Sequence, residues 1–278
     1  MAFAFMPENR YRMPVVFGPM PGPRQRPGGG RFTSSTARVE IVTASFLTEA
    51  RFLERLLPPG FTLDGEPVVT IEYMFMSELL WLAGRGYNTL GVRFPVRYQG
   101  RSEALRGPFL AVLWENKADP IITGREELGF SKLFCDIPQP QILGDRRVYG
   151  ASWEGHGFLE VELTGMGTAP FSPQPNDGVL HYRYLPRVGV SGEADFAGAV
   201  VSPPGASFEL IDHQVGKGSI RFRESTWEQL PTLAHIVNCI SAFPIIEERS
   251  ATITNCRRDV ELANHRIVDA EVEQPDRS

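Results

Sequence analysis

The chain has 278 residues, of which 42% are hydrophobic and 22% charged, and a formal net charge of −5. That is ordinary globular composition, enough for a sizeable core and, in a β-rich chain of this length, for a single domain. The acidic balance without clustered Lys and Arg argues against a nucleic-acid surface, and no apolar run approaches the roughly 20 residues that span a bilayer.

The opening residues MAFAFMPENR hold too short an apolar run, with no basic leader, for a signal peptide, so a cytoplasmic protein is expected. Residues 1–36, including FGPMPGPRQRPGGG, hold too much Pro and Gly for helix or ladder. They read as an arm that lies over a surface or dangles. From Ala37 the texture changes, and ARVEIVTA alternates as a strand does. SFLTEARFLERLLPPGF then sets Phe46, Leu53, Leu56 and Leu57 near helical spacing, with Ser45 or Thr48 as the cap and Pro58, Pro59 and Gly60 as the stop.

PVVTIEYMFM (67–76) is apolar on both faces apart from Thr70 and Glu72, which predicts a strand buried on both sides. Further strands are predicted at GVRFPVRY, PFLAVLWEN, RRVYGASWEG, FLEVELTGM, VLHYRYLP, ASFELIDHQV and GSIRFRES, each bounded by turn residues. A second helix is predicted within PTLAHIVNCISAF, with Pro231 in its first turn, and residues 258–278 read as a polar tail. Many strands and few helices predict an α+β fold whose sheet is mostly antiparallel, closed or sandwiched.

Several chemistries lack their motif. There is no GxSxG, HExxH or GxxxxGK[ST], and GKGS at 216–219 lacks the leading glycine of a phosphate cradle. His156, His181, His213, His235 and His265 never fall at metal-ligand spacing, and Asp212 and His213, neighbours on a strand, point to opposite faces. Cys135, Cys239 and Cys256 lie far apart, which predicts free thiols. Neither a metal nor a cofactor is expected. What remains is TGREELGFSKLF (123–134), where Lys132 sits among glycine, aromatic and leucine neighbours although lysine is rarely buried.

ENKADPIITGREELGFSKLF (115–134) resembles the signature of the acetoacetate decarboxylase family: an acidic/Asn strand end, a Pro, a G-R-E turn and an aromatic-x-Lys, in that order. LLPPGF, PVVTIEYMFM and GYNTLGVRFPV stand in the matching order, so the resemblance extends from about Ala37 to Thr254. It implies a cone-like closed β-barrel with a few covering helices over residues 37–257, assembled as a homo-oligomer. It also implies that Lys132 attacks a substrate ketone to form an imine. Only a neutral amine is a nucleophile, and at a pKa of about 10.4 roughly one lysine in a few thousand is neutral at pH 7. Desolvation or a neighbouring cation must change that, as it does in acetoacetate decarboxylase itself, the standing example of the effect.

The chain departs from the family at two points. Leu133 stands where decarboxylases carry a second lysine, which leaves desolvation by Phe130, Leu133 and Phe134 to act on the amine. Thr89 stands where they carry a glutamate that positions the substrate carboxylate, with Tyr87 matched two residues before it. The resemblance further implies Glu72 for proton transfer, Tyr87 as an alternative acid and Arg38 as the arginine that holds a carboxylate. The competing reading of Glu72 is an ion pair with an arginine across the sheet. Trp81, Trp114 and Phe130 are read as walls of the substrate pocket. The expected partner is a small oxo acid, either decarboxylated as a 3-oxo acid or taken through aldol, dehydration or hydration chemistry as a 2-oxo acid. A non-catalytic small-molecule-binding barrel is the alternative.

Overall fold

The computed structural model describes residues 4–32, 36–260, 262 and 264–269. Its strands are β1 Thr36–Leu47, β2 Phe61–Leu63, β3 Val68–Leu79, β4 Arg85–Gln99, β5 Ala104–Glu115, β6 Lys132–Phe134, β7 Gln141–Leu143 and β8 Arg146–Trp153. They continue as β9 His156–Thr168, β10 Val179–Pro186, β11 Ala194–Ser202, β12 Phe208–Phe222, β13 Glu247–Glu248, β14 Ser250–Asp259 and β15 Arg266–Ile267. Three short helices join them: α1 Ala50–Glu54, α2 Ala118–Thr123, which runs on into a π-helical turn Gly124–Leu128, and α3 Ala234–Ser241. No helix among the described residues is long and apolar enough to cross a membrane.

The strands make one 15-stranded sheet in the order β15-β11-β10-β5-β4-β3-β1-β14-β12-β9-β8-β7, with β13, β2 and β6 attached to β1, β4 and β5. Pairing is antiparallel except where β5 meets β10 and β6. The closed barrel expected from the family is therefore not what forms: the hydrogen-bonded path has two ends, β15 and β7, that do not pair. The sheet instead curls on itself. Tyr73 of β3 meets Tyr149 of β8 with ring centroids 5.6 Å apart, and Trp114 of β5 meets Phe158 of β9 at 5.6 Å, although both pairs lie far apart in strand order.

Strand parity divides the molecule. The register Val42↔Tyr73, Ala44↔Ile71, Phe46↔Val69 puts these side chains on one face, with Leu90, Val92, Phe94 and Val96 of β4. All are almost wholly buried, and burial of each large one contributes about 1.5–3 kcal/mol. The opposite face of these strands and of the adjoining β14 carries Val39, Met76, Tyr87 and Cys256, a second, smaller cluster. A third, with Leu110, Leu128 and Phe130, lies near it. The candidate site opens between these two.

The first predicted helix is shorter than its spacing suggested. β1 runs through Phe46 to Leu47, so that residue belongs to the sheet, and only Ala50–Glu54 is helical. Ser45 does not cap it; its hydroxyl meets that of Thr70 at 2.9 Å across β1 and β3. The second helix covers Ala234–Ser241, with Val237 and Ile240 in the core and Pro231 in the turn before it.

The N-terminal arm lies over the surface. Arg12 pairs with Glu127 of the π turn, both side chains nearly buried at 6% and 8% exposure, and donates to the Pro21 carbonyl at 2.6 Å. The Met13 amide donates to Glu126 at 3.4 Å, and Gln25, itself buried, accepts from the Arg10 amide at 2.8 Å. At the other end β14 continues to Asp259, past the start of the predicted tail, while residues 270–278 of that tail lie outside the described residues.

Candidate active site

Lys132 is the first residue of β6, which pairs parallel with β5 through Leu113↔Lys132. Its backbone is fixed on several sides: the Leu113 amide donates to the Ser131 carbonyl at 3.1 Å, and Arg125 donates to the Lys132 carbonyl at 2.9 Å. The side chain is 7% exposed. Its Nζ donates to the Pro120 carbonyl at 3.1 Å, stands 2.8 Å from Glu115 Oε1 and lies 5.5 Å from the centre of the Phe130 ring. The charge beside the amine is therefore a carboxylate.

Glu115 ends β5, 1% exposed, and its Oε2 has no hydrogen-bond partner among the described residues. Burial pushes its pKa above the ordinary glutamate value, an effect the nearby Lys132 ammonium opposes. Thr89 lies directly across from it on β4, and because alternate residues share a face Tyr87 stands on the same side two residues away. Burial raises the Tyr87 phenol well above its usual value, and the Glu115 charge adds to that, so Tyr87 holds its proton at neutral pH. Lys132, Glu115, Tyr87, Thr89 and Phe130 line one cavity of about 300 Å³, whose remaining wall is largely apolar.

The other expected site residues fall elsewhere. Glu72 forms an ion pair with Arg93 and lines a neighbouring cavity of about 820 Å³ that shares Arg93, Pro108 and Asn176 with the first. Trp81 stands behind Tyr87, its ring centroid 6.2 Å away, and does not line the lysine cavity. Arg38 is exposed on the far side of β1, where Val39 is the residue that turns inward. Trp114 likewise does not line the cavity: its neighbours Leu113 and Glu115 do, so parity sends the indole to the core, 0% exposed. Trp114→Ala should accordingly cost about 3–5 kcal/mol in chemical denaturation, as for a large aromatic removed from a core, and leave the cavity around Lys132 in place.

Behind Phe130 lie two histidines: His181 stacks on its ring with centroids 4.1 Å apart, and His265 is tilted to it at 5.4 Å. Burial drives His181 well below the usual imidazole range, and His265 is pushed down to about 4 by burial. His265 Nε2 donates to the Leu128 carbonyl at 2.7 Å, and its Nδ1 lies 2.6 Å from the Ser202 hydroxyl, which makes it the acceptor there. Both rings are neutral at pH 7 and form an uncharged back wall.

Four charged residues of this cavity, Arg93, Glu115, Arg258 and Asp259, are missing from the sequence-based expectations. Glu115 is visible in the sequence as the first residue of the 115–134 motif. Arg258, near the end of β14, also lines the cavity, and nothing local in the sequence marks it.

The model of the family "Acetoacetate decarboxylase (ADC)" matches residues 12–255 of the chain. Among the solved structures that share its fold are the following three. One is an acetoacetate decarboxylase, 14% identical with a TM-score of 0.68, covering 85% of this chain and 90% of that one. The second, acetoacetate decarboxylase from Legionella pneumophila subsp. pneumophila str. Philadelphia 1, is 19% identical with a TM-score of 0.63, covering 86% and 91%. The third is the enduracididine biosynthesis enzyme MppR, complexed with the condensation product of pyruvate and imidazole 4-carboxaldehyde, 16% identical with a TM-score of 0.62, covering 84% and 88%. At these identities the likeness is one of fold. No curated protein matches the chain.

Proposed function

The chain belongs to the acetoacetate decarboxylase family, and from that premise we propose that it is a lyase acting on a small oxo acid through an imine on Lys132. The observation that supports this most directly is the Lys132 amine 2.8 Å from the buried carboxyl of Glu115, in a cavity of small-molecule size. Glu115 takes the proton the ammonium must lose. The amine attacks the ketone carbon, and loss of water gives a protonated imine. That cation is the electron sink.

Two outcomes branch from it. The electron pair of a carbon–carboxylate bond can flow into the imine, releasing CO2 and leaving an enamine that is protonated and hydrolysed off the lysine. Alternatively, a C–H proton passes to Glu115, and the enamine attacks an aldehyde or loses water. Tyr87, holding its proton, is the acid for either return step. Thr89 in place of the family glutamate weighs against simple decarboxylation and toward the second branch, the type of condensation named for MppR. In this reading Glu72, tied to Arg93, serves the neighbouring cavity rather than the reacting carbon. The enzyme works without a cofactor, as a cytoplasmic homo-oligomer.

Borohydride reduction with pyruvate or acetoacetate tests this. Mass spectrometry should find the reduced adduct on the peptide that holds Lys132. An unlabelled peptide across a panel of oxo acids would point instead to a binding protein without chemistry. Bicarbonate released from acetoacetate separates the two branches.

A further inference from the structure

About half of the arginines among the described residues are matched by acids. Arg93, the other arginine of the lysine cavity, pairs with Glu72, and Arg257 pairs with Glu78 at 2.7 Å. Lys132 has Glu115. Arg258 lines the same cavity, half-buried, and its guanidinium is the cavity cation to which none of the ion pairs among the described residues is assigned. The register Ala37↔Arg258 and Val39↔Cys256 sets it on the inward face of β14, and its positive charge partly offsets the rise that burial imposes on the Cys256 thiol.

A guanidinium withdrawn from water without a counter-charge is costly, and its fork of donors fits a carboxylate bidentately. The wall around it is oily: Val39, Met76, Leu110, Val179, Val260 and Leu262 all face the cavity. We propose that Arg258 anchors the substrate's carboxylate and that this wall selects monocarboxylic oxo acids with an alkyl or aryl chain. A second carboxylate would meet that wall or one of the two acids that also line the cavity, Glu115 and Asp259. The ketone's role here rests on the imine reading given above; the carboxylate's does not.

Ligands that cannot form an imine therefore provide the test. By titration calorimetry at pH 7, hexanoate should bind wild type about ten- to a hundredfold more tightly than hexanamide, the range of a charge-assisted bidentate contact. Arg258→Gln should close that gap, Arg258→Lys should leave part of it, and Lys132→Met should preserve it. Adipate should bind more weakly than hexanoate. Equal binding of hexanoate and hexanamide to wild type, or undiminished hexanoate binding to Arg258→Gln, overturns the assignment. If the gap follows Arg258 and no borohydride adduct forms, the anchor stands and the imine reading falls. An adduct without the gap removes the anchor and leaves the imine in place.

Discussion

Gly124→Ala is expected to abolish the borohydride-trapped adduct at Lys132 while the protein stays folded. A Cβ at Gly124 would lie 2.3 Å from Lys132 Cε, 2.4 Å from Cδ and 2.5 Å from Nζ, closer than side-chain atoms stand to one another. Gly124 has φ −67°, a helical value that alanine adopts freely, so the backbone raises no objection. The nearest atoms in the way belong to the end of a long, rotatable side chain. The chain can therefore yield at small cost by swinging the amine away from Glu115 and Pro120, and the loss falls on chemistry rather than on stability. Peptide mass spectrometry beside thermal unfolding reads both sides of that statement. An undiminished adduct would show that the lysine is not held where the reaction needs it.

Glu115→Gln should lower kcat by about 10²- to 10⁴-fold, the usual range for a positioned general base, and should change the shape of the pH profile. Burial raises the Glu115 pKa, so in the native enzyme activity climbs as pH rises through a value above the ordinary glutamate range. Below it the group is already protonated and accepts nothing. Glutamine fits the same space and cannot titrate, so that acidic limb should vanish. A variant that keeps both the rate and the limb would move the base to another residue. Rate–pH curves for the two proteins on one oxo acid decide it.

How far the amino-acid sequence alone leads depends on whether an effect is local. Strands rich in β-branched and aromatic residues, such as β3, β5 and β9, are readable because both faces or one clean face are apolar. β11, with sequence ADFAGAVVS, offers small residues and little contrast, and it is a strand because β10 pairs with it. The two segments predicted on either side of Gly216 and Gly218 are one strand, β12, which runs through both glycines. At Gly218 a Cβ would come within 2.8 Å of Ala251 Cβ and 3.1 Å of Ala44 Cβ, so the glycine allows close packing rather than a turn.

Lys132 stands out because its neighbours are wrong for a lysine. Arg38 misses the cavity by a single position: parity on β1 turns Val39 inward and Arg38 out, and a slip of one residue reverses every such assignment. Arg258 is illegible from its surroundings in sequence. It faces the cavity only because β14 lies beside β1, more than 200 residues earlier in the chain.

The Pro- and Gly-rich leading segment is easily taken for packaging to be trimmed away. Yet Arg12 is the buckle on Glu127, and Glu127 belongs to the same π turn whose first residue, Gly124, sits against the lysine stem. Shortening the chain past Arg12 would strand a buried carboxylate in the turn that roofs the Lys132 side chain, so a protein trimmed to its sheet would carry a different cavity rather than a smaller copy of this one.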